Sequence, residues 1–141
     1  MLTLADIAGP EDYRRAPKTD RDEVRLLWHS DFWDGPRSGM LVYRGEECWF
    51  QVAAESGDDH SDWYRRSVVL RLTPQQHAEE CRWQELFRTK VGVHTDYDQQ
   101  ERRPAVGFLW PREHWHEFYD PYGQRTPPDF SGNEVLGWFE H

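Results

Sequence analysis

The chain has 141 residues, with 26 acidic against 17 basic side chains and a net charge of −9. That length suits one ordinary domain, and the acidic balance argues against the concentrated basic face that non-specific nucleic-acid binding needs. Aromatic residues make up 15%, including 8 Trp, which excludes a disordered composition; with only 37% hydrophobic residues and a mean hydropathy of −0.98, rings must supply much of the core.

The basic pairs Arg14-Arg15, Arg65-Arg66 and Arg102-Arg103 are short and interrupted by acids, so no nucleic acid is expected as a partner. Cys48 and Cys81 stand far apart without CxxC spacing and read as buried thiols rather than a disulfide framework or zinc knuckle. Residues 1–12 lack a basic flank and a long apolar run, and no stretch of about 18 apolar residues occurs, so neither export nor membrane insertion is expected. The expected location is the cytoplasm, and the preference for Arg over Lys, with Lys18 and Lys90 the sole lysines, points to a bacterial source.

In chain order, residues 1–23 carry Pro10, Pro17 and a charged run with few aliphatic anchors, which predicts a loosely ordered N-terminal arm. Residues 24–141 are expected to form a single domain. Val24, Leu26 and Trp28 alternate with Arg25, Leu27 and His29, the period of a strand. Asp34 to Gly39 reads as a turn, and Met40–Tyr43 and Cys48–Ala53 as two further strands of a meander joined through Arg44-Gly45-Glu46-Glu47. After the acidic loop Glu55–Asp62, Ser67–Leu72 offers a fourth strand.

Thr73-Pro74-Gln75-Gln76 is a capping box with Pro at the first helical position, which starts a long helix running to about Thr89. Gly92, Pro104, Gly107 and Pro111 predict an irregular stretch. A short helix follows from Pro111, with Trp115, Phe118 and Tyr119 on one face and Pro121 as its stop. Asn133–Phe139 closes the chain as a strand. The expected fold class is α+β: an antiparallel meander of about four to five strands packed with one long and one short helix.

Two His-x-Asp pairs carry the strongest hint of chemistry, His29 with Asp31 and His94 with Asp96. On a strand, positions i and i+2 share a face, and four such groups suffice for one zinc, iron or manganese ion. The second pair, however, falls in a predicted loop, where Asp96 is expected to bond the local backbone, as Asp31 does at the turn before Gly35.

On the long helix Glu79 shares an arc with Trp83 and Leu86. There it either pairs with Arg82 or enters a cleft as an acid, base or ligand, while His77, Glu80, Gln84 and Arg88 face solvent. Glu113-His114-Trp115-His116-Glu117 lacks the i, i+4 histidines of an HExxH zinc helix. No GxSxG elbow, Walker loop, GxGxxG or EF-hand loop is present.

Adjacent aromatics on strands face opposite ways, so some rings must leave the primary core. Trp33, Trp49, Trp63 and Trp110 are the candidate recognition rings. The expected function is an acidic protein-binding module of inhibitor or immunity type that covers a basic protein partner and needs no cofactor. The competing expectation is a small metal-dependent hydrolase or oxygenase with His29, Asp31, His94 and Asp96 as ligands and Glu79 as acid or base. The sequence leaves the oligomeric state open.

Overall fold

A computed structural model describes residues 1–32, 36–56, 64–98 and 103–141; for residues 31, 32, 36, 94–98 and 103–107 it describes the backbone alone. Trp33, Trp63 and residues 57–62 of the expected loop Glu55–Asp62 therefore lie outside the described residues. The elements are β1 (Val24–Phe32), β2 (Pro36–Tyr43), β3 (Glu46–Ser56), β4 (Tyr64–Leu70), α1 (Pro74–Lys90), β5 (Gly92–Asp98), β6 (Arg103–Phe108), α2 (His116–Gln124) and β7 (Val135–Glu140). The α+β class is as expected, but the chain divides into two compact units, Met1–Leu72 with Asp129–His141, and Thr73–Pro128.

The first unit is an antiparallel sheet in the order β1-β2-β3-β4-β7. Directly opposed residues share a face, and Trp28, Met40, Trp49, Leu70 and Val135 are paired in turn across all five strands. All five are buried, and Phe130 packs on Trp49 at 5.5 Å. The other face carries Leu41, Cys48, Phe50, Val69 and Phe139, each fully buried. That face curls, because the Tyr43 hydroxyl on β2 stands 3.7 Å from where a Cβ on Gly137 of β7 would sit, although β3 and β4 lie between them in the sheet.

Local chemistry fixes the hairpins. Tyr43 pairs with Glu46, so β2 and β3 are joined by two residues, Arg44 and Gly45, both at positive φ (51° and 81°). This is the signature of a type I′ turn, whose twist matches that of the strands. At Gly39 the chains come closer than any side chain permits: a Cβ there would lie 2.1 Å from the Trp28 carbonyl oxygen.

The N-terminal arm is not loose. Tyr13, Ala16 and Thr19 are buried, and Tyr13 meets Trp138 edge to face at 4.9 Å. Its hydroxyl accepts from Arg14 Nε at 3.1 Å and from the Arg66 guanidinium. Residues 17–19 run along the edge of β7: Thr19 N–H donates to the Trp138 carbonyl (2.8 Å) and Trp138 N–H to that of Pro17 (3.0 Å). The edge that β7 would otherwise expose is thereby covered.

In the second unit the capping box of α1 forms as expected, with Gln76 N–H donating to Thr73 Oγ1 (3.1 Å) and Thr73 N–H to Gln76 Oε1 (2.9 Å). Phe87 and Val91 pack with Phe118 of α2, flanked by Trp83, Leu86, Trp115 and Tyr122. Two expectations fail here. The stretch after Gly92 is an antiparallel hairpin, β5 with β6, rather than irregular chain, so His94 and Asp96 lie on a strand. Pro121 does not stop α2 but lies inside it.

Two stability measurements follow. Gly39→Ala forces β1 and β2 apart and should lower the urea-derived unfolding free energy by about 1–3 kcal/mol, whereas Gly132→Ala, with nothing within 4 Å of the added Cβ, should change it by under about 0.5 kcal/mol. Tyr13→Ala should cost about 3–5 kcal/mol and open the arm to limited proteolysis, while Tyr13→Phe, which loses one hydroxyl, should cost about 1 kcal/mol.

Candidate interaction surface

The loop that leaves β6 places Phe108, Leu109 and Trp110 in succession, 61%, 60% and 47% exposed. Ordinary strand ends do not leave three large apolar residues in water, so their anchoring matters. The Leu109 and Trp110 amides both donate to the Val91 carbonyl at 3.1 Å, which fastens the end of β6 to the end of α1. The Trp110 indole N–H donates to the Arg88 carbonyl at 3.0 Å, one of the last carbonyls of α1 that have no partner within the helix.

Trp115 completes the arrangement. Its indole N–H donates to the Trp110 carbonyl at 2.9 Å, and its ring stacks on Phe108 at 4.7 Å with the planes 29° apart. Tyr119, 44% exposed, meets Phe87 edge to face at 6.5 Å and extends the apolar surface along α2. The result is a patch in which Phe108, Leu109, Trp110 and Tyr119 are exposed, half-buried Trp115 supports Phe108, and both indole N–H groups are already satisfied by backbone.

The rim carries both signs. Glu113, Glu117 and Asp120 are exposed beside Arg112 and His114. Lys90 is taken up by Glu117 at 3.5 Å, and the Arg112 guanidinium lies 5.9 Å from the Trp115 ring centre. His114 lies 3.9 Å from both Glu113 and Glu117, and His116 Nδ1 stands 2.9 Å from the Glu113 carbonyl oxygen. The histidines are thus occupied with neighbours on their own segment.

The other candidate residues separate. Trp110 is on the surface, but Trp49 is 5% exposed and part of the sheet core, which removes it as a recognition ring; the register of β3 puts it on the same face as Met40 and Leu70. His29 is buried opposite Gly39, and Asp31 pairs with Ser38, the residue adjacent to Gly39. The register shift between them breaks the strict alternation on which the shared face of a His-x-Asp pair depends. A second shift falls between Thr95 and Tyr97, at Asp96. The side chains of Asp31, His94 and Asp96 are outside the described residues.

Glu79 is held by Arg82 (2.6 Å) and by the Trp83 indole N–H (3.0 Å), both on α1. Glu80, expected to face solvent, is 4% exposed. Arg125 reaches it at 3.3 Å, donates to the Tyr122 hydroxyl at 2.8 Å and lies over the Tyr122 ring at 4.1 Å. Burial pushes the Glu80 carboxyl above its ordinary range, and Arg125 opposes that shift. The missed signal was the lone Arg125 beyond α2, a cation from outside the helix that permits a buried acid on α1.

Of the thiols, Cys48 is fully buried and pushed up to about 12 by burial, and Cys81 is half-buried. Ser67 and His141 Nε2 stand 2.6 Å apart, a spacing that suits a nucleophile and its base. Ser67 is fully buried, however, and packing on Phe139 with Arg21 and Arg65 nearby lowers His141 to about 4, too weak a base for that role near neutrality. Among the described residues no helix is long and apolar enough to cross a membrane. Comparison with known proteins gave no match to a family model, a curated protein or a solved structure.

The buried pair yields a pH-dependent test. Arg125→Leu strands the Glu80 charge and should cost about 3 kcal/mol at pH 7, more than the Glu80→Leu, Arg125→Leu double variant, which strands none. A carboxyl with a raised folded-state pKa destabilises as pH rises through that pKa. Urea titrations should therefore show the Arg125→Leu deficit shrinking toward pH 5.

Proposed function

We propose that this chain is a protein-binding module whose recognition surface is the patch of Phe108, Leu109, Trp110, Trp115 and Tyr119. The partner is a protein that offers an apolar anchor flanked by basic residues. The observation that carries the reading is a set of exposed rings already fixed in place. Aromatic residues concentrate binding energy where they are rigid, and a surface ordered before binding loses little side-chain entropy on contact. Large contiguous apolar patches on a surface commonly mark such sites.

The basic character of the partner is supported by charge. A chain at −9 attracts cationic surfaces over several ångströms and speeds their encounter, and Glu113 and Asp120 stand exposed beside the rings. An inhibitor or immunity role, in which the module covers a partner's basic working surface, fits this pairing of rings with acids. The two His-x-Asp pairs do not favour an enzyme reading, because a register shift interrupts each.

The test is affinity capture with the intact chain and with a Leu109→Ser, Trp110→Ala variant, followed by a binding isotherm on the purified partner at two salt concentrations. Expected are a partner bound by the parent and weakened at least about 100-fold by the variant, as loss of a central aromatic anchor does, with unchanged far-ultraviolet circular dichroism. Binding should also weaken as salt rises. A partner bound equally by parent and folded variant would overturn the reading, as would self-association of the parent through the same rings.

A further inference from the structure

Helix α1 carries a pair of side chains that the interaction surface does not use. His77 and Cys81 are four residues apart, the spacing that brings two side chains onto one face one turn apart. Cys81 Sγ lies 3.7 Å from His77 Nε2 and 3.9 Å from Nδ1. Both residues are half-buried. His77 sits in the first turn, where its backbone N–H donates to the Thr73 carbonyl at 2.9 Å and the capping box fixes the start of the helix. The first turn of the helix beneath the pair is thus held by both capping and intrahelical hydrogen bonds.

We infer that His77 and Cys81 form a two-residue chelate for a thiophilic divalent cation such as zinc, bound through His77 Nε2 and Cys81 Sγ. A tetrahedral zinc with bonds of about 2.3 Å to sulfur and about 2.0–2.1 Å to nitrogen holds these two donors about 3.6 Å apart. The observed 3.7 Å is close to that bite, and because Sγ also lies 3.9 Å from Nδ1, a turn of the imidazole is what aims the Nε2 lone pair at an ion held by the sulfur. Imidazole with thiolate is a donor set that selects zinc and its softer congeners over magnesium or calcium. The thiol proton leaves to solvent as the metal–sulfur bond forms, so affinity rises with pH. Water or further donors complete the coordination of the ion.

The competing thiol is excluded by position. Cys48 is fully buried, and its thiol is held protonated by that burial. A signal from Cys81 can thus be separated from one at Cys48 by substitution.

The experiment is a cobalt(II) titration of the reduced, chelator-treated full chain, read as the near-ultraviolet thiolate-to-cobalt charge-transfer band and competed with zinc. Expected are one equivalent bound, a band retained in Cys48→Ala and lost in Cys81→Ser, and zinc affinity weakened at least about tenfold in His77→Ala, with helix content unchanged by circular dichroism. Absence of the band in the parent chain would overturn the inference, as would its survival in Cys81→Ser. Undiminished zinc affinity in folded His77→Ala would also overturn it, since the thiol would then act alone. None of these readouts depends on partner binding.

Discussion

Tyr and Trp bury a large apolar area comfortably only when the O–H or N–H at their edge finds a partner, and that requirement decides where each unit of this chain is tied together. In the first unit, the Tyr13 hydroxyl takes donors from Arg14 and Arg66, and the ring it anchors closes over Trp138. The polar N-terminal stretch is held down by that contact. In the second unit, indole and phenol edges are satisfied by Glu79, Arg88, Trp110 and Arg125. These bonds join α1, the end of β6 and α2 where aliphatic packing is sparse.

The same requirement explains how the exposed patch persists in a folded chain. Trp110 and Trp115 each spend their N–H on a backbone carbonyl, which fixes both rings while Trp110 stays 47% exposed. Phe108 is fixed by stacking on Trp115 rather than by burial. A surface of this kind resists collapse, because its rings cannot turn inward without giving up those bonds. It is apolar and already ordered, the two properties that make an aromatic side chain effective in binding.

Much of the fold was legible because local signals agreed with the outcome. The alternation from Val24, the turn at Arg44-Gly45 and the capping box at Thr73 each report on a few adjacent residues. The β5–β6 hairpin was not legible, since Gly92, Pro104 and Gly107 read as breakers while the pairing that overrides them is formed between separate segments. Glu80 was misplaced for a similar reason: the partner that allows its burial, Arg125, is 45 residues away. For His29 and Asp31 the shared face was inferred from strict alternation along β1, which a register shift between them interrupts. As for the rings, composition cannot tell Trp49 from Trp110. The run Phe108-Leu109-Trp110 before Pro111 was the available clue, because consecutive large apolar residues on an extended chain cannot all face one core.

The central claim is that this patch is an ordered, solvent-facing surface of the folded chain. Hydroxyl-radical footprinting of the native protein, read residue by residue by mass spectrometry, tests it most directly. Phe108, Trp110 and Tyr119 should oxidise rapidly while Tyr13, Trp49, Phe50 and Phe139 stay protected until the chain is unfolded. Protection of Trp110 to the level of Trp49 in the native protein would contradict the claim.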